Sequence, residues 1–141
     1  MTAIDAVLRG REAAEALMFD ECVVDRPGPP ATDPDTGAVT PSLSRIYPTP
    51  DDLAAGNPGK CKVQQTIAQS SNPTAGGHSF TVQSTRWDTP VSAGPFAVND
   101  VVTMTGAVLD PQLVGRVYRV VELFHKSGAT AQRVRVEEVS A

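Results

Sequence analysis

From residue 20 onward, the sequence consists of short β-type runs separated by turn residues. This alternation of strands and turns restricts the possible folds more than any other feature of the sequence. Clusters of Gly, Pro, Asn and Asp stand between the runs, and these residues favour turns. No strand alternates with a 10–15-residue helical pattern, which argues against a parallel α/β sheet. The sequence therefore predicts a mainly β fold, a small β-barrel or sandwich of about seven short strands. The predicted strands are residues 21–26, 39–47, 60–64, 80–87, 98–105, 116–124 and 133–139.

One N-terminal α-helix is predicted ahead of these strands. Thr2 followed by Asp5 is typical of a capping box at a helix start. Gly10 costs the helix about 1 kcal/mol relative to Ala and marks either a close neighbour or a tolerated weakness. The pattern divides the chain into a helix over residues 1–20 and a β-domain over residues 21–141. Apolar residues recur at helical spacing at Ile4, Val7, Leu8, Ala14, Leu17 and Met18.

Three extended loops are predicted, at residues 27–38, 48–59 and 68–78. The sequence Pro-Gly-Pro-Pro at residues 27–30 is expected to end the first strand, because proline lacks a backbone donor. Asp33–Gly37 has the composition of a tight turn. Pro41 indicates an edge strand, and residues 51–55 suit a single helical turn.

The charge distribution argues against a dedicated nucleic-acid binder. The 141 residues carry a net charge of −4 and a pI near 5.0, whereas binding phosphates needs a basic surface. Residues 1–60 contain ten acidic and five basic residues, and residues 61–141 contain six and seven. The imbalance suits a subunit that meets two different partners, although random surface variation explains it equally well.

The two cysteines fit no metal-binding or redox spacing. Cys22 and Cys61 fall in strand-like runs, where a free cysteine behaves as a small buried apolar residue, and their pairing stays open. Neither a signal peptide nor an apolar run of membrane-spanning length is present, so we expect synthesis in a cytosol-like compartment.

No catalytic, cofactor or metal site is predicted. Asp35 lies in a triplet resembling that of aspartic proteases and in a DxDxT pattern, but exposed turn material precedes it instead of a buried strand. The same segment lacks the Gly and Glu positions of an EF-hand. His78 and His125 have no second ligand at metal-binding spacing. We therefore expect a non-enzymatic protein, and a small hydrolase using Asp35 is the weakest alternative.

Read end to end, the sequence resembles the head–tail connector proteins of tailed phages (siphophages), in particular a head-closure, or stopper, protein of an actinobacterial-type phage. The resemblance depends on the order and spacing of several segments along nearly the whole chain. These segments are the helix at residues 9–18, Cys22, the turn at residues 33–37, and residues 60–64, 98–102, 110–120 and 135–139.

The resemblance implies a subunit of a six- or twelve-fold homo-oligomeric ring at the virion neck, made in the host cytoplasm. Such a ring joins the portal or adaptor to tail-terminator or tail-tube proteins, helps retain packaged DNA, and lets DNA pass without sequence-specific binding. A tail terminator or another neck subunit is the first alternative, and a small ligand-binding β-barrel is an alternative from another class.

Two candidate surfaces follow from the resemblance. The loop at residues 48–59, longer than the usual link in that family, is the candidate channel loop, with Asp51, Asp52, Leu53 and Asn57. Residues 68–77 are the second candidate for that role. The helix is the candidate docking element, through Leu8, Leu17 and Met18.

Overall fold

The structure, a computed structural model, describes residues 2–68, 74–75, 78–79 and 82–139. Within these residues, one long helix precedes a series of short strands, as the sequence predicts. The predicted loop at residues 68–78 lies largely outside the described residues. The elements in chain order are α1 (Ala3–Ala16), β1 (Asp20–Thr32), β2 (Val39–Tyr47), α2 (Pro50–Ala54), β3 (Lys60–Ala68), β4 (Thr74–Ala75), β5 (His78–Ser79), β6 (Val82–Thr89), β7 (Val101–Gly106), a 3-10 turn (Pro111–Leu113), β8 (Val117–Leu123) and β9 (Gln132–Glu138).

Six strands close into a barrel and a seventh lies outside it. The strands pair in the order β1-β3-β6-β9-β8-β7, and β7 pairs back onto β1 through residues 21–25. Strand β2 pairs only with β1 and is the extra edge strand. The predictions of a mainly β fold with an N-terminal helix, and of an edge strand at Pro41, are both confirmed.

Side chains fill the barrel interior, so the barrel is a packed core and not a pore. Three aromatic rings pack edge to face: Phe96 lies 4.9 Å from Trp87 and 5.9 Å from Tyr47 between ring centroids. Cys22 and Cys61 are free and fully buried, as predicted for small apolar residues. Burial raises the pKa of the Cys22 thiol well above its usual range.

The first strand is longer than the sequence predicts. The expectation that residues 27–30 end the strand, and that residues 27–38 are a loop, is wrong, because β1 continues to Thr32. Beyond residue 25, β1 has only β2 as a neighbour. A strand with one free edge tolerates residues that cannot donate to a ladder. The register shift between Gly28 and Ala31 absorbs the remaining mismatch.

Other boundaries move by a few residues. Strand β7 begins at Val101 and not at residue 98, because the Asn99 backbone has φ 77° and forms the turn before it. Strand β8 starts at Val117, one residue later than predicted. The helical turn predicted at residues 51–55 is confirmed as α2.

Candidate assembly surfaces

The outer parts of β1 and β2 form a two-stranded ribbon that projects from the barrel. This ribbon, residues 27–44, is called the arm below. Every side chain of the arm is exposed. At about 3.3 Å per residue, the six steps from Arg26 to Thr32 extend the arm by roughly 20 Å. Two large apolar side chains on it, Val39 and Leu43, are 63% and 60% exposed.

Local hydrogen bonds hold the tip of the arm in one conformation. The Asp33 amide donates to the Ala38 carbonyl at 2.8 Å, and the Gly37 amide donates to the Asp33 carbonyl at 2.8 Å. The Asp33 carboxylate accepts from the Asp35 amide at 2.8 Å. That bond, assisted by the Thr36 hydroxyl, lowers the pKa of Asp33, so the tip stays negatively charged. The predicted turn at residues 33–37 is confirmed.

A bidentate ion pair fixes the arm at its base. Arg26 donates from Nε and Nη2 to the two carboxylate oxygens of Asp100, at 2.9 and 3.0 Å. The Asp100 carboxylate also accepts from the Ala97 amide at 2.8 Å. The Asp100 side chain is 1% exposed and that of Arg26 is 40% exposed. The arm is thereby tied to the loop between β6 and β7, and Asp100 raises the pKa of Arg26.

Helix α1 lies against the loop between β8 and β9. Its start is the predicted capping box, in which Asp5 and Thr2 exchange bonds at 3.0 and 3.1 Å. Arg11 donates from Nε to the Ala129 carbonyl at 3.0 Å. An added Cβ at Gly10 would lie 2.7 Å from the Thr130 methyl, so the close neighbour expected for this glycine is a side chain.

The candidate docking residues of the helix are not equivalent. Leu8 and Leu17 are both exposed but lie on opposite sides of the helix, nine residues apart. Ile4 extends the apolar surface at Leu8, whereas Met18 is only 6% exposed. Met18 therefore packs inside its own chain and offers no surface to a partner. A shallow cleft of about 300 Å³ runs between this part of the helix and Gly128.

The candidate channel loop, residues 48–59, is an ordered segment. Thr49 and Asp52 form a second capping box at the start of α2, so the Asp52 carboxylate is already bonded within the segment. Asn57 Oδ1 accepts from the Tyr47 hydroxyl at 3.1 Å and from the Lys60 amide at 2.8 Å. Asp51 and Leu53 are exposed. Of the four candidate channel residues, Asp51 and Leu53 are therefore the two whose side chains are exposed and not bonded within the segment.

Gly59 ends this segment where the backbones of β1 and β3 approach each other. Its φ is 114°, and an added Cβ would lie 2.2 Å from the Cys22 carbonyl oxygen. The Cys22 amide donates to the Gly59 carbonyl at 2.9 Å. Only glycine fits a backbone this close at a positive φ. The segment is thus attached to the barrel at both ends.

Clefts also lie outside these surfaces in the described part of the chain. One, of about 360 Å³, lies between the β6–β7 and β8–β9 loops and includes Phe124, His125 and Lys126. Another, of about 260 Å³, lies at one barrel mouth and is lined by Thr85, Tyr118 and Glu138 among other residues. In the described part of the chain, no three His, Cys, Asp or Glu side chains cluster as metal ligands would. Among the same residues, no helix has the length and apolar character needed to span a membrane.

Sequence reasoning missed the arm and its ion pair. The arm leaves a trace in the sequence: similar lengths of uncharged chain flank the turn centred on Asp35, from Arg26 and from Arg45. Nothing local indicates that Arg26 pairs with Asp100, which is 74 residues away.

A family model described as "Family of unknown function (DUF6093)" matches residues 10–137, which is most of the chain. None of the curated proteins and none of the solved structures matches the chain.

Proposed function

We propose that this chain, which belongs to the DUF6093 family, is a structural subunit of a phage neck. In this proposal it forms a head-closure ring between the portal or adaptor and the tail-terminator or tail-tube proteins, and helps retain packaged DNA. The proposal joins the resemblance along the sequence to one structural observation, the arm. In this proposal the chain is an assembly protein and catalyses no reaction.

The arm is the observation that most supports the proposal, because no other element of the described chain covers the side chains of this ribbon. An isolated two-stranded ribbon is at best marginally stable in water, since no third strand or helix covers it. Here all side chains of residues 27–44 are exposed, including Val39 and Leu43. A rigid base at Arg26 and Asp100 orients this ribbon away from the barrel. A ribbon held outward with its apolar side chains uncovered fits a subunit that completes its packing on a neighbour.

The remaining surfaces receive roles within the same proposal. Leu8 and Leu17, with Ile4, dock α1 on the ring above or on a neighbouring subunit. Residues 48–59 face the channel, where the exposed Asp51 carboxylate repels DNA phosphates and keeps DNA from adhering. Asp52 and Asn57 hold the shape of that segment and do not act on DNA.

The deciding experiment locates the protein in purified virions and follows the genome when it is missing. We expect antibody labelling at the neck, and DNA-filled heads that lose their genome when the gene is deleted. Complementation by Asp51→Lys should restore neck assembly but slow DNA ejection, with Lys126→Glu as an exposed charge-change control. Absence of the protein from virions, or normal DNA retention without it, would refute the proposal. Labelling on tails that lack heads would instead identify a tail terminator.

A small ligand-binding barrel remains the second candidate because of the polar cleft of about 260 Å³ at the barrel mouth. Because side chains fill the barrel interior, such a ligand would bind at this mouth, whose volume is below the usual 300–1,000 Å³ of small-molecule sites. A screen of small polar ligands by thermal shift separates the candidates. Saturable stabilisation that Tyr118→Phe removes would favour the binding protein.

A further inference from the structure

A cluster of cations covers the outer face of the barrel at strands β3, β6 and β9. Residues directly opposite on neighbouring strands share a face, and one such row is Lys62, Asp88 and Arg133. Trp87 and Val134, one position away, point into the core. The row therefore faces outward. We call this surface, together with the next row, the basic wall.

The next row of the wall adds two more cations. It consists of Gln64, Arg86, Arg135 and Glu122. The wall thus has four cations against two carboxylates, in a chain whose net charge is −4. Arg86 pairs with Asp88 at 3.0 Å, and Arg135 lies 3.5 Å from Glu122 and 3.9 Å from Glu137, a third carboxylate beside these rows.

Two cations of the wall are left without an acidic partner. Asp88 is nearly buried, and its salt bridge goes to Arg86. Lys62 and Arg133 flank it without an ion pair among the described residues. The Arg133 Nε atom is buried and lacks a hydrogen-bond acceptor. Lys62 and Arg133, both half-buried, therefore carry positive charge without an ion pair on this face.

The arm has the opposite charge. Residues 27–44 contain no basic residue, and their only charged side chains are Asp33 and Asp35 at the tip. Local hydrogen bonds keep Asp33 ionised. Because the arm extends roughly 20 Å beyond its base, these carboxylates lie well away from the barrel.

The arm and the wall are different surfaces of the barrel. In the closed order β1-β3-β6-β9-β8-β7, the arm leaves at β1, whereas the wall begins with Lys62 on the neighbouring strand β3 and continues through β6 to β9, three strands from β1. One copy therefore presents two different, complementary surfaces, and such heterologous contacts generate rings or filaments.

We propose that the arm of one copy docks on the basic wall of a second copy, with Asp33 and Asp35 near Lys62 and Arg133. This inference deepens the proposed function, on which it rests, by naming the contact between neighbouring subunits. The contact is made by side chains and not by strand addition. Prolines at residues 27, 29, 30 and 41 remove four backbone donors from the two strands of the arm and thereby disfavour pairing with another strand.

The test is zero-length cross-linking of the purified chain. A carbodiimide condenses a carboxylate with an amine, so it should join Asp35 to Lys62. Copies labelled with ¹⁴N and ¹⁵N are mixed at high protein concentration and low salt, so that a peptide pair of mixed isotopes identifies a contact between copies. We expect the mixed Asp33- or Asp35-to-Lys62 pair. Its absence, or self-association through other residues alone, would overturn the proposal.

Charge reversal supplies a second test, in which self-association is measured by sedimentation. Asp35→Lys or Lys62→Glu should weaken association roughly tenfold, since each replaces attraction by repulsion between the exposed Asp35 and the half-buried Lys62. The double variant Asp35→Lys/Lys62→Glu should restore it. Glu12→Lys and Lys126→Glu make corresponding charge changes at exposed positions elsewhere and should leave it unchanged. Equal effects from the control and test variants would reject the contact.

The proposed function and this contact fail in different ways. Cross-linking and sedimentation use the purified chain and do not depend on where it lies in a virion. Absence from virions would refute the neck assignment and leave a measured arm-to-wall contact standing. If the arm were protected from hydrogen exchange only when another virion protein is present, the contact between copies would be refuted and the neck assignment would stand.

Discussion

The ion pair at the base of the arm gives the sharpest stability prediction. Asp100→Asn keeps the size of the side chain but removes its charge and one acceptor oxygen. The native carboxylate accepts two bonds from Arg26 and one from the Ala97 amide. After the substitution, the new amide group faces a donor instead of accepting from it, so at least one of these buried bonds is lost.

The expected loss in the free energy of unfolding depends on how deeply Arg26 and Asp100 are buried. A hydrogen bond to a charged group contributes about 1.5–3 kcal/mol. Because the Arg26 side chain is 40% exposed, water replaces part of what it loses, and we expect a total cost of about 2–3 kcal/mol. For a chain of 141 residues, this lowers Tm by roughly 6–15 °C.

Urea unfolding monitored by Trp87 fluorescence measures the effect, and a double-mutant cycle with Arg26→Ala isolates the pair. We expect a coupling energy of about 1–3 kcal/mol. Arg45→Ala is the matched control, because its pair with Asp25 at 2.8 Å is more exposed and should contribute under about 1 kcal/mol. An Asp100→Asn cost no larger than that of the control, or zero coupling, would refute the clamp. Hydrogen exchange should also rise across residues 27–44 in Asp100→Asn.

Three further predictions concern the isolated chain. Met18→Asp should cost several kcal/mol, because it buries a charge, whereas Leu17→Asp should cost under about 1 kcal/mol; urea midpoints separate the two. Gly10→Ala should destabilise the chain because of the Thr130 methyl, but the same change in a Thr130→Ser background should stabilise it by up to about 1 kcal/mol. Burial raises the pKa of Tyr47, so the folded state keeps a proton that the unfolded state releases, and stability should fall as pH rises above about 10. Tyr47→Phe should flatten that alkaline decline while losing about 1–3 kcal/mol at neutral pH, because it removes the hydroxyl proton that faces both the Asn57 Oδ1 and the Lys60 carbonyl.

Local chemistry made part of the fold predictable. The capping pair of Thr2 and Asp5, the turn at residues 33–37 and the edge strand at Pro41 each depend on neighbours within a few residues. The alternating runs gave nearly all strands, with boundaries shifted by a few positions. Such patterns are visible in a single sequence because the interactions that produce them span one turn or one strand.

The arm and its clamp depend on long-range contacts, so the sequence alone did not reveal them. Prolines usually end a strand, and whether β1 continues depends on whether its other edge is free, which is a property of the closed sheet. The burial of Met18, one residue after exposed Leu17, likewise depends on how the chain enters β1. The basic wall needs the pairing of Lys62, Asp88 and Arg133 across three strands.

The prolines of the arm connect its shape to the way it can associate. A flat ribbon with free edges would add strands from any other copy, and that contact would vary little with salt. With four donors removed, the arm must bind through Val39, Leu43 and the two aspartates. Such a contact gains from the basic wall only where exposed charges face each other, so it weakens as ionic strength rises. A chain built this way can stay dispersed at ordinary salt and concentration, and associate where a template raises its local concentration.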